Sequence, residues 1–104
     1  MRRMLQLAAA QAMILDASQG ETFDISFRTS ITSIAIKNLI AGQLYCFILR
    51  QDATGKHALN WGNNFLNAMM LDPNPNSVTV QCFIGVPGQV LMAITPGTWT
   101  EEGS

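Results

Sequence analysis

The chain has 104 residues, of which 48% are hydrophobic and only 12% charged, with a formal net charge of −1. A chain of this length buries roughly two-thirds of its unfolded surface, so a single domain over residues 1–104 is expected, with residues 1–3 and 100–104 flexible, and a disordered chain is excluded. The six Lys and Arg are scattered and stop at Lys56, which excludes nucleic acid as a partner; no run reaches the ~18 apolar residues of a membrane span.

Met1-Arg2-Arg3 before an apolar stretch has the outline of a short secretory signal. Gln6 and Gln11 interrupt that stretch, so a folded segment is the preferred reading. Residues 4–8 and 11–15 read as two short strands, despite three alanines that favour helix. A turn cluster follows at Asp16-Ala17-Ser18-Gln19-Gly20. In 22–27, Phe23, Ile25 and Phe27 alternate with Thr22, Asp24 and Ser26, the pattern of a strand with one face in a core. Residues 31–36 are rich in β-branched side chains and read as the next strand.

Gly42 to Trp61 reads as the organising hairpin. Leu44 to Leu49 is a strand by composition. Asp52-Ala53-Thr54-Gly55 is a turn in which Asp bonds its own backbone and Gly takes a positive φ. The chain would return through His57, Leu59 and Trp61 on one strand face. The stretch 62–76 carries Asn near its start and two Pro near its end, which exclude a central strand. The spacing of Phe65, Leu66, Met69 and Met70 allows one helical turn. A core-covering loop is preferred there over an adaptable Met-bearing contact surface. Residues 77–84 form a strand whose Val78, Val80, Cys82 and Ile84 are expected to face inward. Gly85-Val86-Pro87-Gly88 reads as a turn and 89–95 as the last strand. Trp99 lies in the tail, where a large aromatic marks docking onto the body or a partner.

About eight short strands and no long helix predict an all-β fold, an antiparallel β-sandwich or a jelly-roll-like barrel. Little in the chain points to chemistry. It has one His, no nucleophile motif and no phosphate-cradling glycine loop. Glu21 and Asp24 could lie close together, but nothing else supports a sugar-hydrolysing pair. Asp16, Asp52 and Asp72 read as turn formers rather than calcium ligands. Cys46 and Cys82 sit in apolar runs and are read as buried free thiols in preference to a disulfide; two cysteines cannot build a structural zinc site. No catalytic residue, metal ligand or cofactor site is assigned, and an enzyme is not expected. The charged fraction is about half the usual ~25%, which suits a surface covered by copies of itself or by a larger assembly.

Ala12-Met13-Ile14-Leu15-Asp16-Ala17-Ser18-Gln19-Gly20-Glu21-Thr22-Phe23-Asp24-Ile25 resembles the opening of small β-sandwich domains in tailed-phage virion proteins. The segment from Gly42-Gln43-Leu44 through Gln51-Asp52-Ala53-Thr54-Gly55 to Leu59-Asn60-Trp61 is similar to their hairpin, over residues 5 to about 95 in all. Gly62 departs from the Pro that commonly follows the Trp. The resemblance implies a virion protein assembled in the bacterial host cytoplasm. Such domains form homotrimers, so the implied partners are the chain itself and the major capsid protein or another virion protein. With no shaft in the chain, capsid decoration (a cement role) is the first expectation. The alternative is a receptor- or glycan-binding tail-fibre tip, with Tyr45, Trp61 and Trp99 stacking on sugars. Against that, Tyr45 and Trp61 read more simply as core residues.

Overall fold

The computed structural model describes residues 4–62 and 64–94, and Trp99 with both predicted flexible ends lies outside the described residues. Within them the chain forms β1 (Met4–Ala8), β2 (Ala12–Asp16), β3 (Thr22–Phe27), β4 (Ser33–Lys37), β5 (Leu44–Gln51), β6 (Phe65–Leu66), β7 (Val78–Val86) and β8 (Val90–Ala93), with no helix among the described residues. The all-β expectation holds.

The strands build a six-stranded sheet in the order β1-β3-β5-β7-β8-β6 and a two-stranded ribbon, β2-β4. The expected antiparallel arrangement is corrected here. β1·β3, β3·β5, β2·β4 and β6·β8 are parallel, while β5·β7 and β7·β8 are antiparallel. Parallel neighbours need a crossover between them, usually a helix. Here the crossover is itself a strand: the chain leaves β1, runs through β2 in the ribbon, returns as β3, crosses again through β4 and returns as β5. Met4, Thr22 and Cys46 consequently stack as successive partners, as do Ala12 and Ser33. The first half of the molecule is a short coil of the β-helix kind. The second half closes it by antiparallel pairing.

One core lies between sheet and ribbon. The sheet contributes Phe23, Ile25, Phe27, Tyr45, Phe47, Leu49, Phe83 and Leu91, and the ribbon contributes Leu15, Ile34 and Ile36. Phe47 is its hub. It stacks on Phe23 at 5.1 Å and meets Trp61, Phe65 and Phe83 edge-on at 5.4, 5.9 and 5.5 Å, geometries worth about 0.5–1.5 kcal/mol each beyond area burial.

Several expectations are revised. The central hairpin does not form. β5 pairs with β3 and β7, and of the proposed return strand only Leu59 makes a bridge, to Ile31. The turn chemistry was nevertheless read correctly, since Asp52 Oδ1 accepts the N–H groups of Thr54 and Gly55 at 3.0 Å. Phe65 and Leu66 form a strand beside β8 rather than a helical turn. β7 runs through Gly85 to Val86, so the turn begins at Pro87. β7 also faces the opposite way to expectation: Thr79, Gln81, Phe83 and Gly85 are inside. One large ring, Phe83, locked among Phe47, Trp61 and Phe65, sets the register against four smaller apolar residues. Cys46 and Cys82 are not free thiols. They are directly opposed on β5 and β7 and form a disulfide.

The long 62–77 segment is anchored by buried amides. Gln81 accepts from Met69 N–H at 3.1 Å and donates to the carbonyls of Cys82 and Ile94. Gln51 donates to the carbonyls of His57 and Asp72 at 2.7 and 3.0 Å. Trp61 Nε1 donates to the Met69 carbonyl at 2.9 Å.

Candidate functional site

The six-stranded sheet has a second face, turned away from the ribbon, which no described segment covers as a core. Strand pairing arranges it in rows. Gln6, Asp24, Ile48 and Val80 form one row; Ala8, Ser26, Arg50 and Val78 form the next. Both rows are polar on β3 and apolar on β7, with Gln6 and Ala8 at their β1 ends. The polar end follows from the alternation in 22–27, whose Thr, Asp and Ser positions must face away from Phe23, Ile25 and Phe27.

A cavity of about 480 Å³ opens on the polar half, lined in part by Gln6, Asp24, Ser26, Arg28 and Arg50. At its centre Arg50 Nε donates to Asp24 Oδ1 at 2.8 Å and Nη2 donates to Oδ2 at 3.2 Å, the two-pronged pairing that a planar guanidinium makes with a carboxylate. The Asp24 side chain is only 8% exposed, whereas that of Arg50 is 47% exposed. The hydrogen bonds that Arg50 donates to Asp24, then the Asp24 charge, raise the Arg50 pKa above its ordinary value, so the guanidinium is charged at every accessible pH. Two of its five N–H donors are engaged by Asp24 and three remain for other partners. Arg28 follows directly on β3 and adds a second exposed guanidinium to the lining. With two arginines and one aspartate, the lining carries a net charge of +1. Its donors suit a ligand bearing a carboxylate or phosphate together with hydroxyls.

The other residues singled out from sequence lie elsewhere. Tyr45 and Trp61 are core side chains, and the Tyr45 hydroxyl accepts the Ile40 N–H at 3.0 Å, so neither can stack on a sugar. Asp24 pairs with Arg50 rather than with Glu21. Asp16, Asp52 and Asp72 each accept a backbone N–H two residues on, as turn formers do. His57 lies 3.1 Å from Asp52, beside a separate cavity of about 210 Å³. Among the described residues no three His, Cys, Asp or Glu side chains cluster to hold a metal.

A family model whose description reads "Putative phage tail fibre C-terminal domain" matches residues 9–86. The chain belongs to this tail-fibre family. The match covers β2 to β7 whole, so Asp24, Ser26, Arg28 and Arg50 of the cleft lie within it and Gln6 lies outside. The tail-fibre domain is thus a phage virion structural unit, as its resemblance to virion β-domains implied. No curated protein and no solved structure matches the chain. Sequence reading missed the cleft because Asp24 and Arg50 are 26 residues apart and meet only through the parallel β3·β5 register.

Proposed function

We propose that this tail-fibre domain is a binding module, not a catalyst, which contacts the host cell surface through the Asp24–Arg50–Arg28 cleft and takes an anionic saccharide there. The observation that carries the reading is the half-exposed Arg50 fork held in place by a buried carboxylate, beside a second arginine, in a cavity of about 480 Å³. Small-molecule sites fall in the range of about 300–1,000 Å³. A guanidinium already oriented by Asp24 loses less side-chain freedom on binding than a free one. Recognition here is by charge and hydrogen bonds, and Tyr45 and Trp61 serve in the core instead.

The family favours the tail over the head, so the capsid-decoration role expected from the low charge gives way to the tip reading. In the virion the domain acts as several copies, and weak individual contacts add through multivalency.

The test is a glycan array probed with the labelled domain, alongside Arg28→Ala and Arg50→Ala variants. Binding confined to uronate- or phosphate-bearing saccharides, weakened at least tenfold by each variant and by raised salt, is the expected result. Equal binding by wild type and both variants, or association with empty phage heads and with no glycan, would contradict it.

A further inference from the structure

We propose that the cavity between residues 56–59 and 70–73 is a second saccharide subsite, one that takes the acetamido group of an N-acetylated amino sugar. The two segments are pinned together at one end. Lys56 N–H donates to the Pro73 carbonyl at 2.7 Å, and the buried Gln51 amide donates to the carbonyls of both His57 and Asp72. Beside that clamp they enclose about 210 Å³, a cavity that shares no lining residue with the arginine cleft. Its walls are mainly apolar, with Leu59, Met70, Leu71 and Pro73 among them, and Lys56 and His57 are the polar members.

The backbone of these walls is what points to a ligand. Ala58 N–H donates to Ser30 Oγ, while Ile31 takes both the Ala58 carbonyl and the Asn60 N–H. Leu59, between them, turns its own N–H and C=O away from Ile31, and neither has a partner among the described residues. On the other wall, Met69 and Asp72 each engage both backbone groups. Met70 and Leu71, between those anchors, engage neither among the described residues. Met70 is 89% exposed and open to water, but Leu71 is only 8% exposed. A buried backbone group without a partner costs about 1–3 kcal/mol, and the great majority of such groups in folded proteins are paired. Free donors and acceptors beside apolar side chains complement an acetamido group: its carbonyl accepts an N–H, its N–H donates to a C=O, and its methyl packs on Leu59 and Leu71. The volume lies below the ~300 Å³ at which whole small-molecule sites begin, so one substituent fits and an oligosaccharide chain does not. An extended peptide needs a longer run of free backbone groups along one edge, and here the run stops after one residue on one wall and two on the other. The inference does not rest on the arginine cleft, whose ligand is anionic, because the ligand here is neutral.

The test is a chemical-shift titration of the ¹⁵N-labelled chain with the methyl glycoside of N-acetylglucosamine and, separately, with that of glucose. It is repeated on Ala58→Phe and Met70→Trp, two exposed positions of the lining where a larger side chain narrows the cavity. Saturable shifts at Leu59, Met70 and Leu71 are expected with the acetamido sugar, with affinity for the glucoside lower by about tenfold or more. Each variant should weaken binding by a similar factor, and raised salt should leave it unchanged, unlike binding at the arginine cleft. Equal shifts with the two sugars, no shifts, shifts at Arg28 and Arg50 instead, or tighter binding of an N-acetylated dipeptide amide than of the sugar would overturn the proposal. The comparison of the two sugars on the unaltered chain decides the matter even where a variant fails to fold.

Discussion

Single residues bear more of this fold than their size implies. A Cβ on Gly85 would lie 2.5 Å from the Ile40 carbonyl oxygen, a backbone atom that cannot swing aside. Gly85→Ala is therefore expected to cost about 3 kcal/mol, read as a lower urea midpoint at unchanged slope. Gln81→Leu keeps the volume but strands the Met69 N–H and the Ile94 carbonyl, for an expected loss of about 2–3 kcal/mol on the same assay. Asp16 makes a pH prediction. Hydrogen bonds from the Asn38 and Ser18 side chains, then the Ser18 backbone, lower its pKa from 3.8 to about 2. Asp52 is also lowered: burial pushes it up, but the Gly55 and Thr54 N–H groups and His57 outweigh that. Both folded values lie below the unfolded ones, so this stabilisation is complete above about pH 4 and is lost as pH falls toward 2. Thermal midpoints should drop through that window, and the drop should be shallower in Asp16→Asn.

At the scale of elements, the sequence was legible wherever one strand could be judged alone. The alternation in 22–27 placed Phe23, Ile25 and Phe27 inside, and they are. The Asp-x-Thr-Gly turn was readable because its bonds are local. What failed needed partners. The facing of β7 depended on where Phe83 found its aromatic neighbours, and an apolar row of four pointed the wrong way. The cysteines looked like core thiols for the same reason, since their opposition exists only once β5 and β7 pair across a separation of 36 residues. A bridge closing a loop of that size is expected to contribute about 3–4 kcal/mol. Denaturant titration with and without reductant measures it, and no change on reduction would deny the bridge a stabilising role.

For the whole molecule, the coiled first half explains why most strands were legible and their pairing was not. Seven of the eight strands among the described residues fall on runs read as strands, while β6 falls in the stretch read as a loop and the expected return strand through Trp61 is absent; the choice between a hairpin and a crossover is made by which sheet the next strand joins. That choice leaves one sheet face outside the core, polar around β3 and apolar toward β6. The candidate site lies on the polar part of that face, and it could not be seen without the parallel register that brings Asp24 to Arg50. The most direct measurement is a chemical-shift titration of the ¹⁵N-labelled domain with a uronate-containing oligosaccharide. Shifts confined to Gln6, Asp24, Ser26, Arg28, Arg50 and their strand neighbours, with the β2–β4 ribbon unmoved, are the predicted result. Shifts clustered on the ribbon, or none at millimolar ligand, would contradict the account.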